Sequence, residues 1–131
     1  MPFAFALTVV LSALAVFQIA LSAGAPLGRF AWGGQQAVLS PRLRVGSLLS
    51  VAVYALIAVI AWNRLGAVDL FPAPFAVVAM WVVFAYFCVG VVMNAISRSA
   101  PERNTMTPVC IVLAVLSLLV ALGYGALAMP A

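Results

Sequence analysis

Four long runs of this chain, residues 3–23, 45–62, 75–96 and 109–129, contain no charged side chain, and all six Arg residues together with Asp69 and Glu102 fall in the three connectors between them. Each run is close to the ~20 residues that cross a bilayer core as a helix. Hydrocarbon offers no hydrogen-bond partners, so a spanning backbone must satisfy itself internally, which leaves helices or closed barrels. The expected fold is all-α, a transmembrane up-down four-helix bundle with spans at about 3–23, 41–62, 75–96 and 108–129. Connectors this short leave no room for a second folding unit, so residues 1–131 read as one domain.

Composition agrees, since 68% hydrophobic and 6% charged residues lie far from the quarter charged that is usual for soluble domains. A net charge of +4 would suggest nucleic acid in a soluble protein, but here the Arg residues flank apolar spans and act as topology signals. Nucleic-acid binding is therefore not expected. The chain has no His, which removes the commonest haem and metal ligand and the usual proton shuttle near neutral pH. No cofactor and no metal site are expected. Cys88 and Cys110 differ in depth by roughly 9 Å at 1.5 Å per residue, too far for a disulfide, and read as two separate thiols. The first run ends in Ala23-Gly24-Ala25, which resembles a cleavage site, but no Lys or Arg precedes it and Pro26 follows; a retained span is expected.

Connectors one and three share a side and hold Arg29, Arg42, Arg44, Arg98 and Arg103, against Arg64 alone in connector two. The positive-inside bias places that side in the cytoplasm and both termini outside. Ser40-Pro41 and Thr107-Pro108 each offer a capping hydroxyl followed by proline at the first helical position, and predict the starts of the second and fourth helices. Ser99 and Glu102 have capping-box spacing and predict a short turn ahead of the fourth span. The sequence Phe71-Pro72-Ala73-Pro74 breaks the second helix and starts the third, with Trp62 as an interfacial aromatic.

Three constellations are candidates for function. Two helix starts among Arg29, Arg42, Arg44, Arg98 and Arg103 make a place for an anion, such as a lipid headgroup phosphate, or else simply a basic face toward water and headgroups. The first connector, rich in Gly and bearing Phe30 and Trp32, reads as an interfacial loop anchored in the headgroup zone, or as a segment covering a ligand; it lacks a phosphate-loop pattern. Gln18, Ser50, Tyr54, Tyr86 and Asn94 are polar groups within the spans. They either bind helices together or line a polar cavity. Gln18 and Asn94 are close enough in depth to touch. Gly46 with Ser50, and Gly90 with Asn94, allow close approach of neighbouring helices.

Gly-Ala-Pro at 24–26 with Trp-Gly-Gly at 32–34, then Asn94-Ala95-Ile96-Ser97-Arg98-Ser99 with Pro101-Glu102-Arg103 and Thr107-Pro108, resembles a group of small uncharacterised four-span bacterial integral membrane proteins. The resemblance covers nearly the whole chain. It implies a multi-pass protein of the bacterial cytoplasmic (inner) membrane and brings no catalytic residue or substrate with it.

Proton-coupled export needs an ionisable group within the membrane, and no span holds Asp or Glu. Enzymatic work would have to rest on Glu102, Asp69, Tyr or Cys, so the chain is not expected to be an enzyme. The leading expectation is a non-catalytic accessory or interaction module; the alternative is an oligomeric channel or passive or anion transporter for a small solute. Expected partners are the lipid bilayer, anionic headgroups, and a second copy or a membrane partner subunit.

Overall fold

A computed structural model describes residues 2–34 and 36–124. Its order is α1 (Pro2–Ser22), two short 3-10 turns (Gly28–Phe30 and Trp32–Gly34), α2 (Pro41–Arg64), α3 (Ala73–Ala95) and α4 (Ala100–Ala121). All four helices are long and apolar enough to cross a membrane. Successive helices run antiparallel around a ring in which α4 closes back on α1. The fold is the all-α four-helix bundle expected from the charge pattern, and the chain is a small polytopic membrane protein. Large apolar side chains face outward on every helix, among them Val16, Leu49, Val78 and Val115. Water would disfavour such a surface, whereas lipid tails accept it.

The register of each hairpin is set by polar contacts. Within the first, the indole N–H of Trp62 donates to Thr8 Oγ1 at 2.9 Å and Gln18 Nε2 donates to the Tyr54 hydroxyl at 3.3 Å. In the second, Asn94 Nδ2 donates to Cys110 Sγ at 3.2 Å, and that sulfur lies beside Gly90, where an added Cβ would stand in ordinary contact with it at 3.4 Å. These registers leave the first two turns or so of α2 and of α4 projecting past the ends of α1 and α3. We call the end with connectors one and three the basic end.

Two expected helix details differ. The fourth helix starts at Ala100, with Ser99 as its N-terminal flank, and not at Pro108; Thr107 and Pro108 lie inside it. Proline at 108 has no N–H, so the Asn104 carbonyl lacks its helical partner. Asn104 is exposed on the projecting turns, where water can take that carbonyl, which is why the helix continues through Pro108. Helix α4 ends at Ala121, followed by Gly123 at φ 88°, and the remainder of the expected span up to 129 lies outside the described residues. Trp62, two residues before the end of α2, is half-buried, with its indole N–H bonded to Thr8 of α1.

The core is uneven along the bundle axis. Leu7, Leu11, Ile57, Ile60, Met80, Val83, Leu113 and Val120 fill the half nearer connector two. Toward the basic end α2 buries only Ser47 before Ile57, α3 buries nothing after Phe87, and α4 buries nothing between Glu102 and Leu113. The basic half is therefore packed loosely between its hairpins, and its buried groups include Gln18, Ser47 and Glu102.

Candidate functional site: a cleft beneath a strapped loop

The space left by that uneven core is a cleft of about 880 Å³. Its floor is Leu14, Phe87 and Leu113; its walls carry Gln18, Ser50, Tyr54, Tyr86 and Asn94. The five polar residues of the spans thus converge on one cavity. Gln18 and Asn94 do not bond each other: Gln18 pairs with Tyr54, and Asn94 donates to the Gly90 carbonyl at 2.8 Å and to Cys110. Ser50 returns its hydroxyl to the Gly46 carbonyl at 3.1 Å. Cys88 and Cys110 are both free and half-buried.

Gln18 is 9% exposed, and its Oε1 has no hydrogen-bond donor. Rotating the amide by half a turn would let the Tyr54 hydroxyl donate to Oε1 and would put Nε2 where the open oxygen now stands. In the orientation present, one end of a buried amide is unsatisfied, at a cost of about 1–3 kcal/mol.

Connector one closes the cleft at the basic end. Trp32 takes the left-handed backbone region at φ 53°, which side chains larger than Gly rarely adopt. That turn lays the indole against Gly46, where a Cβ would meet the ring at 2.9 Å, and brings its N–H to Ser47 Oγ at 3.1 Å. The small residue at 46 therefore accommodates an aromatic ring from the loop and not a neighbouring helix. Two further straps reach α4: the Glu102 carboxylate accepts the Gly33 N–H at 3.1 Å, and the Ser99 hydroxyl donates to the Arg29 carbonyl. Ser99 and Glu102, spaced as a capping box, use their side chains on this loop, and Ser99 makes no side-chain cap. The aromatic loop is tied across the bundle end, with Phe30 and Trp32 among the residues lining the cleft.

The basic residues do not gather around one cavity. Arg98 lines the cleft, and Arg42 lies on a separate shallow groove beside Trp32. Arg44 donates to the Leu39 carbonyl at 2.9 Å and stands beside Gly24; Arg103 donates to the Ser97 carbonyl at 2.9 Å. Arg29 lies 5.0 Å from the Phe30 ring centroid, a cation–π contact within the loop. Arg44 and Arg103 thus each tie the first turns of a helix to the connector that precedes it.

Three functional-looking residues were not singled out as sites from the sequence. Ser47 and Glu102 hold the loop, and Asn63, buried at the opposite end, accepts from Leu70 N at 2.8 Å and Phe71 N at 2.9 Å while donating to the Phe71 carbonyl at 3.1 Å. No protein-family model, curated protein or solved structure matches the chain.

Proposed function

We propose that this protein is a non-catalytic accessory module of the membrane whose work is recognition, and that the cleft at the basic end holds an amphipathic molecule. The observation that carries the reading is the pairing of apolar floor and polar walls in one cavity of about 880 Å³, within the range of small-molecule sites. An amide with one unsatisfied end in the wall supports it, because a ligand group can complete what the protein leaves open. Solute passage through a single chain is disfavoured by the apolar floor, where Leu7, Ile57, Met80 and Leu113 close the bundle. The positive-inside bias and the resemblance to four-span bacterial proteins support an inner-membrane location, with the basic end cytoplasmic and both termini outside.

The test is extraction in a mild detergent, followed by quantification of small amphiphiles that travel with the protein. Wild type should carry about one per chain by the one-site reading. Ser50→Phe, which places a ring in the cleft, should lose it. An amphiphile-free wild type, or solute flux when the protein is reconstituted in liposomes, would overturn the binding reading. Orientation is checked separately with impermeant thiol reagents: Asp69→Cys should label from outside intact cells and Ala37→Cys should not, and the reverse pattern would invert the topology.

A further inference from the structure

Resting on the proposal that the cleft binds an amphiphile, we infer that its occupant is an anionic phospholipid of the basic-end leaflet, which enters sideways from the bilayer with one acyl chain between the hairpins and its phosphate at Arg98. The direction of entry follows from exposure. Tyr86, Val89 and Met93 all line the cleft, yet they are 52%, 61% and 61% exposed, so the α3 wall is a rim open toward lipid. Their spacing puts them on one helix face, along which the opening runs.

Depth selects the ligand further. From Phe87 at the floor to Ile96 below the mouth is roughly 14 Å along α3, the thickness of one hydrocarbon leaflet. A molecule filling the cleft therefore has its tail in one leaflet and its head at the basic end. The rim is apolar with aromatic edges, suited to a chain and unsuited to a hydrated solute.

Charge selects the head. The basic end carries Arg29, Arg42, Arg44, Arg98 and Arg103 against the single acid Glu102, whose carboxylate is bonded to the Gly33 N–H. Arg98 is exposed and at the cleft mouth, where a guanidinium can take two phosphate oxygens. Between that mouth and Leu14 of the floor, Gln18 lies about one helical turn from the end of α1, in the part of the cleft that the ester groups and first chain carbons of a lipid would occupy. With its oxygen toward Tyr54, the amide presents Nε2 to an ester carbonyl and its unsatisfied end is filled. Phe30 and Trp32 of the strapped loop cover the glycerol region from above.

The experiment is native mass spectrometry of the purified full chain, offered an equal mixture of phosphatidylglycerol and phosphatidylcholine with matched acyl chains. Both lipids offer a phosphate to Arg98, but the choline cation of phosphatidylcholine cancels that charge and repels the guanidinium, so one Arg beside the headgroup predicts a preference of about fivefold for phosphatidylglycerol by wild type. Arg98→Gln should abolish the preference while retaining some of both lipids. Arg103→Gln, whose side chain is directed to the Ser97 carbonyl, should leave the preference intact. Ser50→Phe should reduce retention of both lipids. Equal retention of the two lipids by wild type would overturn the anionic assignment while leaving an amphiphile-binding cleft standing. An undiminished preference in Arg98→Gln would overturn the headgroup position, and undiminished binding by folded Ser50→Phe would put the lipid on the outer surface. Arg98→Gln is an exposed change that does not depend on the core, so this arm reads out even if Ser50→Phe does not fold.

Discussion

The carboxylate of Glu102, at the start of α4, accepts the backbone N–H of Gly33 at 3.1 Å and so ties the first connector to a helix far along the chain. Together with the Ser99–Arg29 and Trp32–Ser47 contacts it makes a three-point strap over the cleft. A negative group in the first turn also suits the positive end of α4.

Removing that carboxylate should loosen the loop more than the bundle. In Glu102→Ala the Gly33 N–H can turn to water, because Gly33 is exposed, so global stability should fall by only about 1 kcal/mol. Amide hydrogen exchange at residues 28–34 should quicken well beyond that of α1 to α3. Equal protection of the loop in the variant and wild type would show that Trp32 and Ser99 hold it without Glu102.

Asn63 should be the costliest single polar residue. It is 7% exposed and satisfies two backbone N–H groups and one carbonyl in connector two. Asn63→Ala strands all three groups near the end of α2 and should cost about 2–3 kcal/mol. Asn63→Asp keeps the acceptor but loses the donor to the Phe71 carbonyl and adds a charge to a buried place, so it should not rescue. Denaturant unfolding in detergent measures both; a loss under about 0.5 kcal/mol for Asn63→Ala would mean that connector two holds its shape through its prolines alone.

These two residues also show where sequence reading reaches its limit. The spans and their antiparallel order were legible because lipid imposes one rule, internal satisfaction of the backbone, along every apolar run. Thr107-Pro108 misled because capping chemistry is local, whereas the start of α4 is decided by the loop that its first turns support. Gly46 and Ser50 carried the signal of close approach, which was correct, but the sequence does not say whether a helix or the Trp32 ring does the approaching. Gln18, Ser50, Tyr54, Tyr86 and Asn94 were recognisable one by one as polar groups within spans. That they meet in one cleft depends on helix rotation and register, which the near-uniform apolar faces do not encode.

Arg64 is the one arginine of connector two's side, and it serves a helix end. Its Nε and Nη2 donate to the Ala121 carbonyl at 3.3 and 3.1 Å, satisfying an orphan acceptor where the α4 dipole is negative. Arg64→Met should cost about 1 kcal/mol and fray the last turn of α4. Gly123→Ala perturbs the same place from the other side, since Gly123 has φ 88° and an added Cβ would come within 3.0 Å of Arg64 Nη2. A double-mutant cycle should give non-additive losses; additivity would mean that the guanidinium and the Gly123 turn are independent.

The Gln18–Tyr54 pair separates stability from recognition. Gln18→Leu alone removes the unsatisfied amide but strands the Tyr54 hydroxyl, so its net effect on stability should be small. Gln18→Leu with Tyr54→Phe removes both partners and replaces them with apolar groups of similar shape, a change that is neutral or stabilising when a polar pair was imperfectly satisfied. The double variant should therefore unfold at the same denaturant concentration as wild type or a higher one, while the retained amphiphile falls several-fold. On the proposed reading, an unsatisfied amide in the cleft wall that costs about 1–3 kcal/mol, and that two substitutions would relieve, is kept for what enters the cleft. If the double variant were instead less stable than wild type by more than about 1 kcal/mol, the pair would be fastening α1 to α2, and the open amide would carry no message about a ligand.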